Sequence, residues 1–288
     1  MENLVYHYTS LDALRSILGN EVCLWATHYR HLNDPSEQIW AEKYVLKAIK
    51  ESREYLNYSI KDLKGWLGKE AYILSLCNNA DDRNMWRLYC DDGKGVCLVL
   101  DKDILMSYCN EIRANNPKDY FCIVEDVEYS TIENIHETVE ICLKKSCFNI
   151  MDEERESELM RVVPFIKNAD FTIEAELRCA IIRETDIVSI PYDNSTGGPG
   201  TPIFHTNEKG RKFRMRGKQL VPYIEIKLPV EALKGIILGY NVAEKEAKEY
   251  VSNIIENFGT EYKDLWINKS ERFSTCNQKD YFNKITEE

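Results

Sequence analysis

The run Leu4-Val5-Tyr6-His7-Tyr8 is apolar and aromatic, which predicts a short strand. Leu11, Leu14, Ile17 and Leu18 then recur at helical spacing, predicting a helix over Ser10 to Leu18 with Thr9 or Ser10 as its cap and Gly19 at its end. Val22 to Ala26 reads as a second strand and His28 to Leu32 as a loop. In Asn33-Asp34-Pro35-Ser36-Glu37, Asp34 suits the cap and Pro35 the first helical position. Glu37, three residues past the cap, completes a capping box, and the helix is predicted to about Glu51. A helical stretch around Ile60 to Leu67 precedes Tyr72-Ile73-Leu74-Ser75-Leu76, which has the apolar density of a buried strand.

Asp81 to Tyr89 predicts a short helix, and Gly93-Lys94-Gly95 turns the chain into a strand at Val96 to Leu100. Tyr120 to Tyr129 reads as a strand, Thr131 to about Lys167 as mostly helical with a break near Pro164, and Glu174 to Ile182 as a strand. Pro191 to Pro202 is a loop by its Gly and Pro content, and Phe213 to Leu228 a hairpin or bent strand pair. Ile236 to Leu238, Ala243 to Phe258 and Leu265 to Lys269 follow as strand, helix and closing strand. Strands and helices mix without strict βαβ alternation. The expected class is therefore α+β, with mixed or antiparallel central sheets, flanking helices, and one domain over 1–288 carrying a helical insertion at about 131–167.

Composition narrows the setting. With 44% hydrophobic and 30% charged residues in 288, the chain has material for a substantial core. A net charge of −11 argues against whole-surface attraction to nucleic acid or anionic lipid, so such contact needs a local basic patch. Ten cysteines are scattered without a C-x-x-C pair, and no apolar run approaches the roughly 20 residues of a membrane span. The opening MENLVYHYTS also lacks the basic and apolar regions of a leader. The expectation is a reduced, cytoplasmic protein with no membrane partner.

Several groups could carry chemistry. His7, at a strand end just before a capped helix, suits a phosphate or ribose, although from the residue alone a strand histidine satisfied by a backbone carbonyl is the leading reading. His28 and His31 lack a carboxylate at ligand spacing, so no metal is expected. Trp86 and Tyr89 share a helix face, as a stacking surface for a planar ligand or as core. In Glu174-Ala175-Glu176-Leu177-Arg178, period two sends Glu174, Glu176 and Arg178 to one face and Ala175, Leu177 and Cys179 to the core. That face is either a carboxylate pair held ionised by Arg178 or a solvated strand surface. Lys209, Arg211, Lys212, Arg214, Arg216 and Lys218 form a basic stretch suited to phosphate or nucleic acid. Thr196-Gly197-Gly198-Pro199-Gly200 lacks the Lys-Ser/Thr ending of a P-loop.

In order along the chain, Tyr6-His7-Tyr8-Thr9-Ser10, Asn33-Asp34-Pro35-Ser36-Glu37, Met85-Trp86-Arg87-Leu88-Tyr89 with Gly95-Val96, and Glu174-Ala175-Glu176-Leu177-Arg178 resemble a bacterial family. It is catalogued as domain of unknown function twenty-nine seventy-one. The likeness runs from residue 4 to about residue 270, with Ile236-Ile237-Leu238-Gly239 and Ser270 as closing strands. It identifies relatives without supplying a reaction. More distantly, a strand ending in His-x-Thr, a short helix closed by Gly, and a second strand are similar to the first motif of ADP-ribosyltransferases, including those that modify nucleic acids.

That similarity implies roles. His7 would contact the ribose, Tyr89 or Trp86 would stack on nicotinamide, and Glu176 or Glu174 would be the catalytic carboxylate, with His7 counted beside them. Tyr8, Thr9 and Arg178 join His7, Trp86 and Tyr89 as cofactor contacts. NAD is then the substrate, no metal is needed, and the basic stretch from Lys209 to Lys218 meets a nucleic-acid or protein acceptor in bacterial defence or a toxin system. The alternative is a non-catalytic module that binds a nucleotide or nucleic acid. A metal-dependent hydrolase built on His28 and His31 ranks last.

Overall fold

A computed structural model of the chain describes residues 3–19, 21–52, 70–115, 120–145, 160–183, 211–258, 262 and 265–271. It is an α+β fold. Strands β1 (Leu4–Thr9), β2 (Val22–His28), β3 (Glu70–Cys77), β4 (Val96–Asp101), β5 (Tyr120–Asp126), β8 (Glu176–Arg183), β9 (Arg211–Arg216), β10 (Gln219–Leu228), β11 (Leu233–Leu238) and β12 (Trp266–Lys269) make one ten-stranded sheet. Within it only β11 and β12 run parallel. Between β5 and β8 in the chain, β6 (Glu128–Ser130) and β7 (Ile166–Asn168) form a small parallel pair.

The helices are α1 (Leu14–Ile17), α2 (Pro35–Trp40), α3 (Leu46–Ser52), α4 (Arg83–Tyr89), α5 (Lys102–Asn115), α6 (Ile135–Leu143) and α7 (Glu244–Phe258). A single wide turn, Ala41–Val45, joins α2 to α3. Alternation along the central strands divides the core between two faces. Tyr72, Leu74 and Leu76 of β3 pack with α1, α5 and α7, whereas Ala71 and Ile73 pack with α2, α3 and α6.

The sheet forks at β3. Along one edge β3 pairs with β8 over its whole length. On the other edge β1 meets it only at Tyr6↔Cys77, and β2 only at Thr27↔Ile73 and His28↔Tyr72. The strands β1 and β2 therefore diverge, carrying β4, β11 and β12 to one side and β10 and β9 to the other. Leu74, Ser75 and Leu76 are left without a ladder partner on that edge. The His7 side chain meets one of their carbonyls: its Nδ1 lies 3.2 Å from that of Ser75.

Most elements fall where the hydrophobic pattern puts them, including the hairpin β9–β10, which turns through Gly217 at φ 60°. Ser10 caps the first helical turn, a 3₁₀ turn at Leu11–Ala13 that leads into α1. The expected loop at His28 to Leu32 is instead the end of β2 and a 3₁₀ turn, Tyr29–His31. Tyr120 to Tyr129 is two strands rather than one, broken at Val127. Among the described residues of the stretch expected to be helical from Thr131, α6 and the 3₁₀ helix Met160–Phe165, with Pro164 inside, are helical, and β7 ends it; residues 146–159 lie outside the described residues. The predicted helix around Ile60 to Leu67 and the loop Pro191 to Pro202 lie outside the described residues. Helix α5 was not anticipated, although its signals are present. Asp101 Oδ1 accepts from the amides of Asp103 and Ile104, and Ile104, Leu105, Tyr108, Cys109 and Ile112 recur at helical spacing against the sheet.

Candidate functional site

The gap between β1 and β2 opens into a cavity of about 400 Å³. Such a volume is in the range of small-molecule sites. Strand β1 contributes Tyr6 to Thr9, β2 contributes Cys23, Leu24, Trp25 and Thr27, and β3 contributes Ile73 to Cys77. Tyr89 reaches it from the end of α4, Glu174 from the 3₁₀ turn before β8, and Glu176 and Arg178 from the start of β8; Arg214 and Arg216 reach it from β9. Thus His7, one ring from residues 86 to 89, and both carboxylates border a single hollow.

Each side chain is positioned by local structure. Asp82 caps α4, its Oδ1 accepting from Asn84 N at 2.7 Å and Met85 N at 3.2 Å, and Trp86 Nε1 donates to Asp81 Oδ1 at 2.7 Å. Those bonds fix the direction in which Tyr89 leaves the helix. Its hydroxyl donates to Glu174 Oε1 at 3.0 Å. Glu174 closes a 3₁₀ helix, Ala169–Glu174, and Ala175 follows in the left-handed region at φ 41°, so the regular strand begins only at Glu176. A left-handed alanine costs about 1 kcal/mol or more and persists only where surrounding contacts enforce it.

Ala175 donates to the Thr172 carbonyl at 3.1 Å and accepts from Asn78 N at 3.0 Å, and the acids on either side of it are held ionically. Lys167 Nζ lies 2.8 Å from Glu174, 3.0 Å from Glu176 and 3.3 Å from Glu37. Arg178 donates to Glu176 through Nε at 2.7 Å and Nη2 at 3.0 Å, to Glu37 through Nη2, and to the Pro164 carbonyl through Nη1. All five charged residues are at most 8% exposed. Three carboxylates against two cations leave one negative charge. Burial pushes the Glu176 carboxyl up, but Arg178 and Lys167 outweigh it and hold its pKa down at about 2. Burial alone would lower the Lys167 pKa, yet Glu176, with Glu37 and Glu174, raises it. Burial, reinforced by Glu174, raises the Tyr89 phenol, which therefore stays a donor.

Away from the carboxylates the lining is cationic. Arg214 lies 5.0 Å from the Trp25 ring centre and 5.9 Å from that of Tyr223, and its Nη2 donates to Thr27 Oγ1 at 2.9 Å. Its buried Nε has no partner among the described residues. Arg216 donates to Asn33 Oδ1 at 2.9 Å. Burial lowers the pKa of His7, and Arg214 adds to the effect against the opposing Ser75 contact. The imidazole is consequently neutral near pH 7. Since a carbonyl only accepts, Nδ1 carries the proton and Nε2 keeps a lone pair.

Several expectations change. Trp86 is fully buried, edge-to-face on Tyr8 at 5.1 Å, and does not line the cavity, so core packing separates it from Tyr89 despite their spacing. Glu37 does not close a capping box. Its carboxylate turns to Arg178 and Lys167, while Asp34 alone caps α2 through Ser36 N at 2.8 Å. The face of Glu176 and Arg178 is buried rather than solvated, and Glu174 precedes the strand. The basic stretch is divided: Arg214 and Arg216 turn inward, Lys212 pairs with Glu225 at 2.7 Å, Lys218 is exposed at the hairpin turn, Arg211 is part-buried on β9, and Lys209 lies outside the described residues. Lys167 and Trp25 were missed, because nothing local marks a lysine destined for burial. His28 and His31 stand with ring centres 5.7 Å apart, and Nδ1 of His28 accepts from Arg30 N while that of His31 meets Gln219. No third ligand joins them among the described residues.

Residues 85–179 match the model of a family described as protein of unknown function (DUF2971), which bears out the family read from the sequence. The match begins at Met85, before Tyr89, and ends just past Arg178, so it contains Tyr89, Glu174 and Glu176 of the site but not His7 or Glu37. No curated protein and no solved structure matches the chain. No helix among the described residues is long and apolar enough to cross a membrane.

Proposed function

We propose that the cavity binds NAD and that the chain is a cytoplasmic ADP-ribosyltransferase-like protein acting on a macromolecule, in bacterial defence or a toxin system. The observation that carries this reading is the convergence of His7, Tyr89, Glu174 and Glu176 on one cavity that Arg214 and Arg216 also line. Paired arginines suit a pyrophosphate. Carboxylates suit the positive charge that develops on ribose as the bond to nicotinamide breaks. Neutral His7 accepts a ribose hydroxyl at Nε2, and Tyr89 flanks the nicotinamide ring. Glu174 is the better candidate for the reacting carboxylate, because Glu176 accepts three bonds from two cations, Arg178 and Lys167, whereas Glu174 meets one cation, Lys167, and a neutral phenol, Tyr89. Nicotinamide departs with the bonding electrons, the acceptor's nucleophile bonds to the ribose carbon, and its proton passes to Glu174. The acceptor, nucleic acid or protein, approaches past Lys218 at the hairpin turn.

The test is release of nicotinamide from NAD by the full chain with RNA, DNA and protein acceptors. Release that falls by about 100-fold or more in Glu174→Gln supports the assignment; no release with any acceptor removes the activity. One observation favours a second reading, a non-catalytic nucleotide-binding module. Glu174 is itself engaged at both oxygens, by Tyr89 and Lys167. That reading expects NAD or ADP-ribose to bind in calorimetry with no turnover.

A further inference from the structure

Away from the cavity, three thiols from three elements meet under the sheet. Cys109 comes from α5, Cys122 from β5 and Cys179 from β8. Their sulfurs are separated by 2.7 Å (Cys109 to Cys122), 3.5 Å (Cys109 to Cys179) and 4.0 Å (Cys122 to Cys179). Buried cysteines usually act as small apolar side chains with a weak S–H donor. Elsewhere in the fold they do so: Cys77 donates to the Glu174 carbonyl and Cys90 to that of Thr9. Among the described residues, the polar contacts of the triad are with one another.

We propose that Cys109, Cys122 and Cys179 form a thiolate site for one zinc ion. Zinc binds thiolate at about 2.3 Å, which at tetrahedral angles sets sulfurs roughly 3.7 Å apart. Two of the three separations are already close to that, and the third widens by a small side-chain rotation of Cys109 or Cys122. The site has an approach. A small opening of about 80 Å³, lined by Cys109 and Cys122 with Met106, Asn110 and Arg113, leads to the sulfurs and has room for a water as the fourth ligand. Charge balance selects the ion. Three thiols lose three protons to solvent, so zinc at 2+ against three thiolates leaves −1, which the Arg113 guanidinium at the same opening offsets. A monovalent soft ion such as Cu⁺ would leave −2 and a larger burial penalty. Bound zinc would tie α5 to β5 and β8, on the strand that carries Glu176 and Arg178.

The experiment uses the full chain, purified reduced and stripped with a chelator, then titrated with Co²⁺ as spectroscopic probe and with Zn²⁺. The expected result is one equivalent bound, with thiolate-to-cobalt charge-transfer absorption that zinc abolishes. Zinc should also protect Cys109, Cys122 and Cys179 from alkylation, as mapped by mass spectrometry. Replacing one ligand, as in Cys179→Ser, should weaken zinc by more than the roughly 10–100-fold typical of outer-shell changes, whereas Cys23→Ser should not. The alkylation map needs no variant, so misfolding of a substituted chain leaves the test intact. Absence of one-equivalent uptake by the folded wild-type chain overturns the proposal. So does protection of a different set of cysteines, or a Cys109–Cys122 disulfide in place of metal.

Discussion

The Tyr89 hydroxyl donates to Glu174 at 3.0 Å although 85 positions separate the two residues in sequence. One bond thereby fastens the end of α4 to the turn that opens β8, and it consumes a lone pair of a carboxylate that also meets Lys167. Replacing Tyr89 with Phe keeps the ring and removes the donor. The expected loss is about 1–2 kcal/mol, because a buried carboxylate loses a partner. Chemical denaturation measures it, and a loss below about 0.3 kcal/mol would mean the bond does not hold the turn.

Arg178 satisfies both Glu176 and Glu37 from a position 1% exposed. Arg178→Met fills similar space but leaves Lys167 as the one cation shared by three buried carboxylates, and a drop of about 3–5 kcal/mol is expected. Adding Glu37→Gln to that variant should recover part of the loss. If the double variant is no more stable than the single one, the penalty comes from packing and not from unpaired charge.

Acid should find the same cluster. The Glu176 carboxyl has an ordinary value of 4.5 and is held at about 2 in the folded chain. A folded value below the unfolded one means its contribution is complete above pH 4.5 and drains away as pH falls toward 2, at up to about 1.4 kcal/mol per pH unit for one proton. Denaturation curves across that window should be shallower in pH for Glu176→Gln than for wild type. Identical pH slopes would show that Glu176 does not titrate as the geometry requires.

If the cavity takes a phosphorylated nucleotide, Arg214 is where its charge is met. Arg214→Gln should weaken ADP-ribose by about tenfold or more and reduce the salt sensitivity of binding. Calorimetry at two ionic strengths reads both effects, and unchanged affinity would move the anion contact to other residues.

Much of this architecture is legible in the chain. The apolar run of β4 and the alternation of β10 are visible because burial repeats at the spacing of the element itself. So is the face division that sends Leu177 and Cys179 one way and Glu176 and Arg178 the other. What the pattern hides is whether a face ends in water or under another element. Glu37 shows the cost: its place three residues past Asp34 spells a capping box, yet Arg178, 141 positions away, captures the carboxylate. Charge pairing at that range leaves no periodic trace. Trp86 and Tyr89 err similarly, since a shared helix face is wide enough for one ring to enter the core and the other to stop at its border.

The divergence of β1 from β2 leaves Leu74, Ser75 and Leu76 unpaired on one edge of β3, and all three line the hollow. Held by β8 along its other edge, that stretch of strand keeps its place when side chains around the hollow are exchanged. Substitutions at the rim can therefore change which molecule is preferred while the recess stays in place.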